Sequence, residues 1–183
     1  MREVRSEAWK ARVVERGRRV ALATPAEEFG PVPSPDGKAL AFVRDRDEIA
    51  VLTLATGEVR TLLPAARNVS YTDGDVEVVW SPDSRFLAAT ALDVGRWISS
   101  VVVIPAAGGA PIDVTRSGYE EHGPRFSADG RMLTFVSDRF GARSHGSWGS
   151  EEDVVGVLLT RAARDRFRLS PEEYDDLLDA EDE

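Results

Sequence analysis

Two adjacent residues, Ser144 and His145, point most directly to catalysis, because a serine nucleophile and a histidine base form the core of a hydrolytic triad. They lie in a Ser- and Gly-rich stretch at residues 143–150, which is typical of a loop. A triad needs its nucleophile, its base and an orienting acid to meet in space, and neighbours on one loop rarely face each other in this way. The sequence therefore predicts no catalytic residue, and no enzymatic activity for this chain alone.

Acidic and histidine side chains raise the question of a metal site. His122 follows Glu120 and Glu121, and His145 is the second of two histidines in a chain without cysteine. Their spacing matches no familiar zinc site. The Asp-Gly-Asp at 73–75 is too short for a calcium-binding loop of the EF-hand type. A surface loop and a turn are the favoured interpretations, and no metal or other cofactor is predicted. The lack of cysteine also excludes disulfides.

The tryptophans fall into two classes by position. Trp80 stands at the end of an apolar stretch, as Phe126 does, and both are predicted to be core residues. Trp97 and Trp148 fall in connections between apolar stretches. Aromatic residues in such connections are enriched in binding surfaces, although others fold back over the protein.

A repeated corner organises the elements that must position these residues. Three stretches share the layout of a strand, a Ser-x-Asp turn and a second apolar strand, with serines at 34, 81 and 127, a period of 47 and then 46 residues. Periods of this length mark the blades of a β-propeller. In the turn, Asp bonds its own backbone, and Gly37 and Gly130 accept the positive φ that the corner requires. Ser84 takes the Gly position in the middle copy, which favours a type I corner there.

The repeat predicts an all-β fold, a partial β-propeller of about three blades with a short C-terminal helical tail. Residues 18–23 suggest a short strand, residues 27–30 a connection, and Ser170 a capping box that opens a helix packed by an apolar stripe. Three blades do not close a ring and leave two blade faces exposed. The chain is therefore expected to be a piece of a longer protein or, less favoured, a homo-oligomer. The predicted divisions are a partial strand and connection at 1–30, blades at 31–64, 65–116 and 117–160, and a helical linker with an acidic tail at 161–183.

Composition narrows the class of partner. The formal net charge is −9, which argues against a nucleic-acid surface. Residues 172–183 hold eight Asp or Glu residues and no Lys or Arg, as a solvated acidic end would. No apolar run approaches the ~20 residues that span a bilayer, and residues 1–19 lack the apolar core of a secretory signal. The expected protein is soluble, cytoplasmic if the chain is complete as written, and periplasmic if an N-terminal signal is missing.

Longer stretches carry a resemblance to a family. YTDGDVEVVWSPDSRFLAAT at 71–90, and the sequence from VTRSGYEEHGPRFSADG through SHGSWGSEEDVVGVLLT to RFRLSPEEYDDLL at 114–178, resemble the end of the N-terminal propeller of Tricorn-like serine proteases. The likeness covers about the last 110 residues. The corners alone are similar to propellers of the TolB and Tricorn type. In Tricorn-like proteases the last blade carries an insertion, here residues 138–152, and PDZ-like and serine peptidase domains follow. No residue of this chain matches the family's catalytic positions.

The resemblance implies a non-catalytic segment that gates or guides peptide substrates, with polypeptides, the remaining blades and the peptidase domain as partners. The alternative is a TolB-like scaffold for protein–protein interaction that belongs to no enzyme. In a propeller blade, the turn between the second and third strands lies on the same rim as the links between blades. We expect any site on that face, where the following residues would gather: Tyr71, Asp73, Asp75, Arg96, Trp97, Tyr119, His122, Arg143, His145 and Trp148.

Overall fold

The three repeats form three separate antiparallel sheets in the computed structural model, which describes residues 22, 24–70, 72, 75–93, 95–143 and 149–182. Blade 1 contains β1 (Glu28–Pro33), β2 (Ala39–Arg44), β3 (Glu48–Thr53) and β4 (Val59–Leu63). Blade 2 contains β5 (Val78–Trp80), β6 (Phe86–Asp93), β7 (Ile98–Pro105) and β8 (Ile112–Asp113). Blade 3 contains β9 (Glu121–Phe126), β10 (Met132–Ser137) and β11 (Asp153–Leu158). Two helices follow, α1 (Arg161–Phe167) and α2 (Pro171–Asp182). The predicted fold class, a partial propeller of three blades with a helical end, is confirmed.

Each corner is held by the same hydrogen bonds. In blade 2 the Ser81 hydroxyl donates to Asp83 Oδ1 (2.6 Å) and accepts from the backbone N–H of Phe86 (2.9 Å). Asp83 Oδ1 also accepts from the N–H of Arg85 (3.0 Å). The same bonds recur at the other two corners, around Ser34 with Asp36 and Ser127 with Asp129. The corner therefore joins the first and second strands of each blade with one side-chain pair.

The middle corner agrees with the predicted type I turn, because Asp83, the third residue of the turn closed by the Ser84 N–H and the Ser81 carbonyl (2.9 Å), has no positive φ. Ser84, the fourth residue, adopts the left-handed conformation that glycine adopts in the other two copies. Its φ of 59° is close to those of Gly37 (69°) and Gly130 (68°), so all three corners use the left-handed conformation. A side chain there costs roughly 1 kcal/mol relative to glycine. The hydroxyl of Ser84 accepts from the N–H of Asp36 (3.1 Å), which is the equivalent corner of blade 1. The unfavourable backbone conformation of Ser84 is therefore accompanied by a hydrogen bond between blades 1 and 2.

Two apolar clusters pack the blades face to face. Between blades 1 and 2, the buried residues include Ile49 and Leu63 from one sheet and Leu87 and Ile104 from the other. Trp80 packs on this cluster and donates its indole N–H to the carbonyl of Val32 (2.9 Å), as expected of a core residue with a polar tip. Between blades 2 and 3, the cluster contains Ala88, Val101, Leu133 and Phe135, and Phe126 packs against it. Blade 2 is therefore covered on both faces.

The outer faces of the two end blades differ. The prediction of two exposed faces agrees with blade 3 but not with blade 1. On blade 1 the outward-facing cluster of Phe42, Ala50 and Leu52 is 0–4% exposed, and Leu22 packs against it. On blade 3 the outward face is open, with Val154 77% exposed. Leu22, which precedes β1, thus contributes to the cover of the first face.

Three further differences concern element boundaries. Residues 28–30, predicted as a connection, belong to β1, which pairs with β2 through an irregular register between Phe29 and Val32. The alternation of apolar and polar residues over 111–115 predicts an outer strand for blade 2 there, but the strand forms only at Ile112–Asp113. The linker contains an additional helix, α1, whose N-terminus is capped by the Thr160 hydroxyl accepting from Ala163 N–H (3.0 Å).

The last helix begins as predicted but packs less than predicted. Ser170 and Glu173 exchange the two bonds of a capping box, at 3.2 and 2.8 Å. The stripe expected to pack against the blade is mostly in solvent, with Tyr174 39% and Leu178 37% exposed. Instead, Arg166 of α1 holds α2 by an ion pair with Glu181 (2.9 Å) and by stacking over Tyr174. None of the described helices is long and apolar enough to cross a bilayer.

Candidate binding rim

The turns between second and third strands and the links between blades lie at one end of the sheets, as predicted, and we call this end the rim. Backbone bonds tie turns to links there. Asp45 N–H donates to the carbonyl of Glu27 (2.9 Å), Ser70 N–H to that of Arg46 (2.7 Å), and Asp138 N–H to that of Glu120 (3.2 Å). Backbone bonds therefore hold the turns of blades 1 and 3 against the neighbouring links on the rim.

A buried aspartate anchors the rim of blade 3. Asp138 accepts from Glu120 N–H (3.1 Å) and from the Arg143 guanidinium (2.6 Å), and its side chain is only 6% exposed. Asp45 accepts from Glu27 N–H (3.0 Å) in the same way in blade 1. Both aspartates stand nine residues after the corner aspartate of their blade. That shared offset is the signal by which the sequence could have revealed this second repeated bond.

Arginines stack on a tyrosine beside this anchor. The guanidinium of Arg143 lies 4.5 Å from the centre of the Tyr119 ring, and that of Arg139 lies 5.9 Å from the same ring and 5.3 Å from Phe140. Phe140 is 68% exposed. Tyr119 and Arg143 were predicted to share a face, and the structure brings them into contact. Arg139 and Phe140 were missed, although they follow Asp138 directly in sequence.

The residues weighed as metal ligands make other contacts. His122 Nε2 lies 3.2 Å from Glu152 Oε1, and both side chains are about half exposed. Glu120 accepts from the N–H and hydroxyl of Ser99 and so joins blade 3 to blade 2. Glu121 is 1% exposed and accepts from two hydroxyls, those of Thr115 and Ser117. No group of three or more His, Asp or Glu side chains suited to a metal ion occurs in the described residues.

Arg96 and Trp97 form the rim of blade 2. Arg96 lies 3.5 Å from Asp93 and lines a largely polar cavity of about 460 Å³ together with Arg67 and Arg116. Trp97 is 58% exposed and has a φ of 56°, with its N–H donating to the carbonyl of Asp93 (2.7 Å). The exposed indole confirms that Trp97 is not a core residue. Arg67 and Arg116 were missed, because nothing in their local sequence marks them among the 23 Lys and Arg residues.

Of the remaining predicted site residues, one stabilises the fold and four lie outside the described residues. Asp75 accepts from the Ser70 hydroxyl (2.8 Å) and from Thr72 N–H (2.7 Å), so its carboxylate stabilises the link between blades 1 and 2. Four others lie outside the described residues: Tyr71, Asp73, His145 and Trp148. Ser144, the partner of His145 in the rejected catalytic pair, lies outside them as well. Binding by the predicted face stays a prediction.

A second cavity lies at the corner end of the blades, opposite the rim. It measures about 600 Å³ and opens between blades 2 and 3, with a mainly apolar lining that includes Val103, Ile112, Phe126 and Val157. The short β8 leaves this space because only two residues of blade 2 continue the sheet outward. No sequence pattern predicts this cavity, since its walls come from separate strands.

No family model matches the chain. Among solved structures, TolB from Acinetobacter baumannii is similar with a TM-score of 0.55 and 22% identity, covering 79% of this chain and 35% of that one. A putative TolB from Agrobacterium tumefaciens has a TM-score of 0.43 at 20% identity, covering 81% and 67% of the two chains. An acylaminoacyl peptidase in complex with Z-Gly-Gly-Phe-chloromethyl ketone has a TM-score of 0.47 at 15% identity, covering 70% and 19%.

This chain spans about a third of the length of the Acinetobacter TolB chain. The three antiparallel sheets correspond to part of such a propeller. The likeness is one of fold, and it says nothing about activity. The chain thus has the fold of part of a TolB-like β-propeller.

Proposed function

We propose that this chain is a non-catalytic propeller segment that binds extended polypeptides at its rim and guides them to the serine peptidase domain of a Tricorn-like parent protein. The observation that carries the proposal is the set of exposed aromatic and arginine side chains on one rim. Trp97 and Phe140 are 58% and 68% exposed, and they are accompanied by Arg96, Arg139 and Arg143. The sequence resemblance at 71–90 and 114–178 supplies the peptidase context.

These groups suit the chemistry of an unfolded polypeptide. Exposed indole and phenyl rings offer apolar surface to side chains of any sequence. Guanidinium groups donate to backbone carbonyls, and they bind carboxylates of acidic side chains or of a C-terminus more strongly, because the bond is charge-assisted. Arg139 contacts rings and is paired with no carboxylate among the described residues. A surface of this kind favours loose, sequence-tolerant binding, as a guiding role requires.

Peptide titration tests the proposal. A fluorescently labelled, unstructured peptide with a free C-terminal carboxylate is titrated with the chain, and binding is read by fluorescence anisotropy. We expect Trp97→Ala and Phe140→Ala each to weaken binding by about tenfold, which corresponds to about 1.4 kcal/mol. Leu54→Ala is the matched control, because Leu54 is also exposed, at 46%, but lies at the corner end. Equal affinity of all three variants and the parent chain would refute rim binding.

The absence of catalysis is part of the proposal and has its own assay. The purified chain is incubated with casein, and release of soluble peptides is followed. We expect no turnover above buffer, because adjacent residues on one loop, as Ser144 and His145 are, rarely face each other as a nucleophile and its base must. Turnover that Ser144→Ala abolishes would show that the chain itself is a peptidase.

A second candidate function is that of a TolB-like scaffold that docks folded proteins. The apolar cavity of about 600 Å³ between blades 2 and 3 favours it, since a pocket of that size can accept a protruding apolar side chain. Ile112, 56% exposed at this cavity, distinguishes the two functions. Ile112→Asp should leave peptide binding at the rim unchanged, whereas it should weaken docking of a folded partner.

A further inference from the structure

Three arginines from separate segments of the chain line one polar cavity on the rim, which we call the arginine cavity. Arg67 belongs to the link between blades 1 and 2, Arg96 to the turn between β6 and β7, and Arg116 to the link between blades 2 and 3. The arginine cavity measures about 460 Å³, and a smaller cavity of about 280 Å³ shares Arg67 and Asp93 with it. The fold therefore brings together three cations that are distant in sequence.

Two of these three cations have no carboxylate partner in the part of the chain that the structure describes. Arg96 lies 3.5 Å from Asp93, whereas neither Arg67 nor Arg116 forms an ion pair with a described Asp or Glu. The chain contains 32 Asp and Glu residues against 23 Lys and Arg residues, so carboxylates are plentiful. Two guanidinium groups that line the same cavity are thus left able to bind an anion from outside the chain.

The two aspartates of the arginine cavity are engaged by groups of this chain. Asp93 accepts from Gly95 N–H (2.8 Å) through one oxygen and pairs with Arg96 through the other. One oxygen of Asp113 accepts from the backbone N–H of Arg116 (2.8 Å). The lining holds three positive and two negative side chains, so a net positive charge remains in a protein whose formal net charge is −9.

Hydrogen bonds fix the backbone that carries the two unpaired arginines. Arg67 N–H donates to the carbonyl of Pro64 (2.9 Å), and the next residue, Asn68, bridges blades 1 and 2 with its side chain. Arg116 has a φ of 48°, and the Asp113 carboxylate holds its N–H. Because both backbones are in place before a ligand arrives, binding costs mainly the freedom of the two arginine side chains.

We propose that the arginine cavity binds acidic side chains of a polypeptide, so that the rim prefers segments that contain Asp and Glu. Because it names the class of polypeptide that the rim takes up, this proposal rests on the proposed function. A guanidinium binds a carboxylate through two parallel N–H donors, and the charge of both groups strengthens the bonds. Trp97, which follows Arg96 in sequence, is exposed on the same rim and offers apolar surface to the neighbouring residues of the segment.

The number of unpaired cations favours side chains over a chain terminus as the ligand. Arg67 and Arg116 match two carboxylates, whereas a polypeptide has one C-terminus. An extended segment can present two acidic side chains to one cavity, and a volume of about 460 Å³ has room for both. Internal acidic residues are therefore the groups that the arginine cavity recognises.

Three unstructured peptides that carry the same neutral dye test the proposal on the full chain by fluorescence anisotropy. The first contains two glutamates and has an amidated C-terminus, the second has glutamines in their place, and the third is the second with a free C-terminal carboxylate. At low salt we expect the first to bind about tenfold more tightly than the second, and the third to gain no more than about twofold. Equal affinity for the first and second peptides would overturn the proposal, as would a gain confined to the third.

Substitutions assign this preference to the arginine cavity. Arg67→Gln combined with Arg116→Gln should abolish the preference for the glutamate peptide and leave the affinity for the glutamine peptide within about twofold of the parent chain, since only the charged ligand loses its partners. Arg85→Gln combined with Arg131→Gln is the matched control, because both side chains are exposed at the corner end and the same charge is removed there. A preference that survives the first pair of substitutions, or that the control pair lowers equally, would contradict the site.

The same titrations distinguish failure of the arginine cavity from failure of the aromatic rim. If the glutamine peptide binds, Trp97→Ala weakens it and the glutamate peptide gains nothing, the rim binds polypeptides but the arginine cavity selects none. If the glutamate peptide binds through Arg67 and Arg116 and Trp97→Ala changes neither peptide, the arginine cavity holds and the aromatic rim does not.

Discussion

At the scale of residues, one serine–aspartate pair holds each corner together. The serine hydroxyl donates to the aspartate and accepts from the first amide of the second strand, so neither group is left without a partner. The aspartate accepts from the hydroxyl and from a backbone N–H. The sequence predicts the bond between the aspartate and the nearby backbone, whereas the two bonds of the serine hydroxyl were not predicted. The rim contacts of Arg67 and Arg116 could not be predicted, since they depend on two separate links.

Replacing Ser81 by alanine should destabilise the chain by about 1–3 kcal/mol, because the N–H of Phe86 loses its acceptor in a place where Ser81 is 4% exposed. Urea unfolding followed by circular dichroism measures the free energy. Ser100→Ala is the matched control, since the described contacts give its hydroxyl no hydrogen bond, and it should change stability by less than about 0.5 kcal/mol. Equal effects of the two substitutions would contradict the role given to the corner hydroxyl.

The corner aspartates should also make stability depend on pH. The serine hydroxyl bond, followed by a backbone N–H bond, lowers the pKa of Asp36, Asp83 and Asp129 below the ordinary value. A folded pKa below the unfolded one, which is about 3.9, means that the unfolded chain binds more protons in this range. The stabilisation is therefore complete above about pH 4 and is lost as the pH falls through the lowered folded pKa.

Urea midpoints measured from pH 5 to pH 2 test this linkage. The parent chain should lose stability steeply below pH 4, and a variant carrying Asp36→Asn, Asp83→Asn and Asp129→Asn should lose less over the same interval, because asparagine does not titrate. The difference between the two curves isolates the corners from the other acidic residues. Parallel curves would show that the corner carboxylates have ordinary pKa values in the folded chain.

At the scale of elements, each strand's burial reports what lies on either side of its blade. Apolar runs and corners predict strands at 38–44, 48–54, 86–92, 99–104 and 131–137, which lie within one or two residues of β2, β3, β6, β7 and β10. The first strand was missed because Glu28, Gly30 and Pro31 have no strand preference, and pairing with β2 alone makes them a strand. The outer strand of blade 2 was predicted too long, because alternation extends to Thr115 whereas ladder pairing with β7 forms only at Ile112 and Asp113.

Two phenylalanines of blade 3 provide a matched pair at this scale. Phe135 is 2% exposed between blades 2 and 3, whereas Phe140, five residues later, is 68% exposed on the rim. Phe135→Ala should cost about 3–5 kcal/mol of unfolding free energy, because it leaves a cavity in the cluster. Phe140→Ala should cost less than about 0.5 kcal/mol. Chemical denaturation of both variants gives the comparison, and a small loss for Phe135→Ala would mean that blades 2 and 3 are not packed as described.

At the scale of the whole molecule, the question is whether three blades behave as one unit. Buried bridges cross the first junction in addition to the apolar cluster. Asn68, 1% exposed, donates to the carbonyl of Asp47 in blade 1 (3.2 Å) and accepts from Leu92 N–H in blade 2 (3.0 Å). Glu120 joins blades 2 and 3 through Ser99. Such links could not be predicted, because a buried Asn or Glu is indistinguishable in sequence from an exposed one.

We therefore expect a single cooperative unfolding transition for all three blades. Ile49→Val, in the cluster between blades 1 and 2, should cost about 0.5–1.5 kcal/mol, and Val101→Ala, between blades 2 and 3, about 2 kcal/mol. If the blades unfold together, each substitution shifts the same transition, and their effects add in the double variant because the sites are distant. Intrinsic tryptophan fluorescence and far-ultraviolet circular dichroism, recorded at one fixed protein concentration, should report coincident midpoints. Two separated transitions, with Ile49→Val moving one and Val101→Ala the other, would show instead that each junction melts on its own and that the propeller arc is an array of weakly coupled blades.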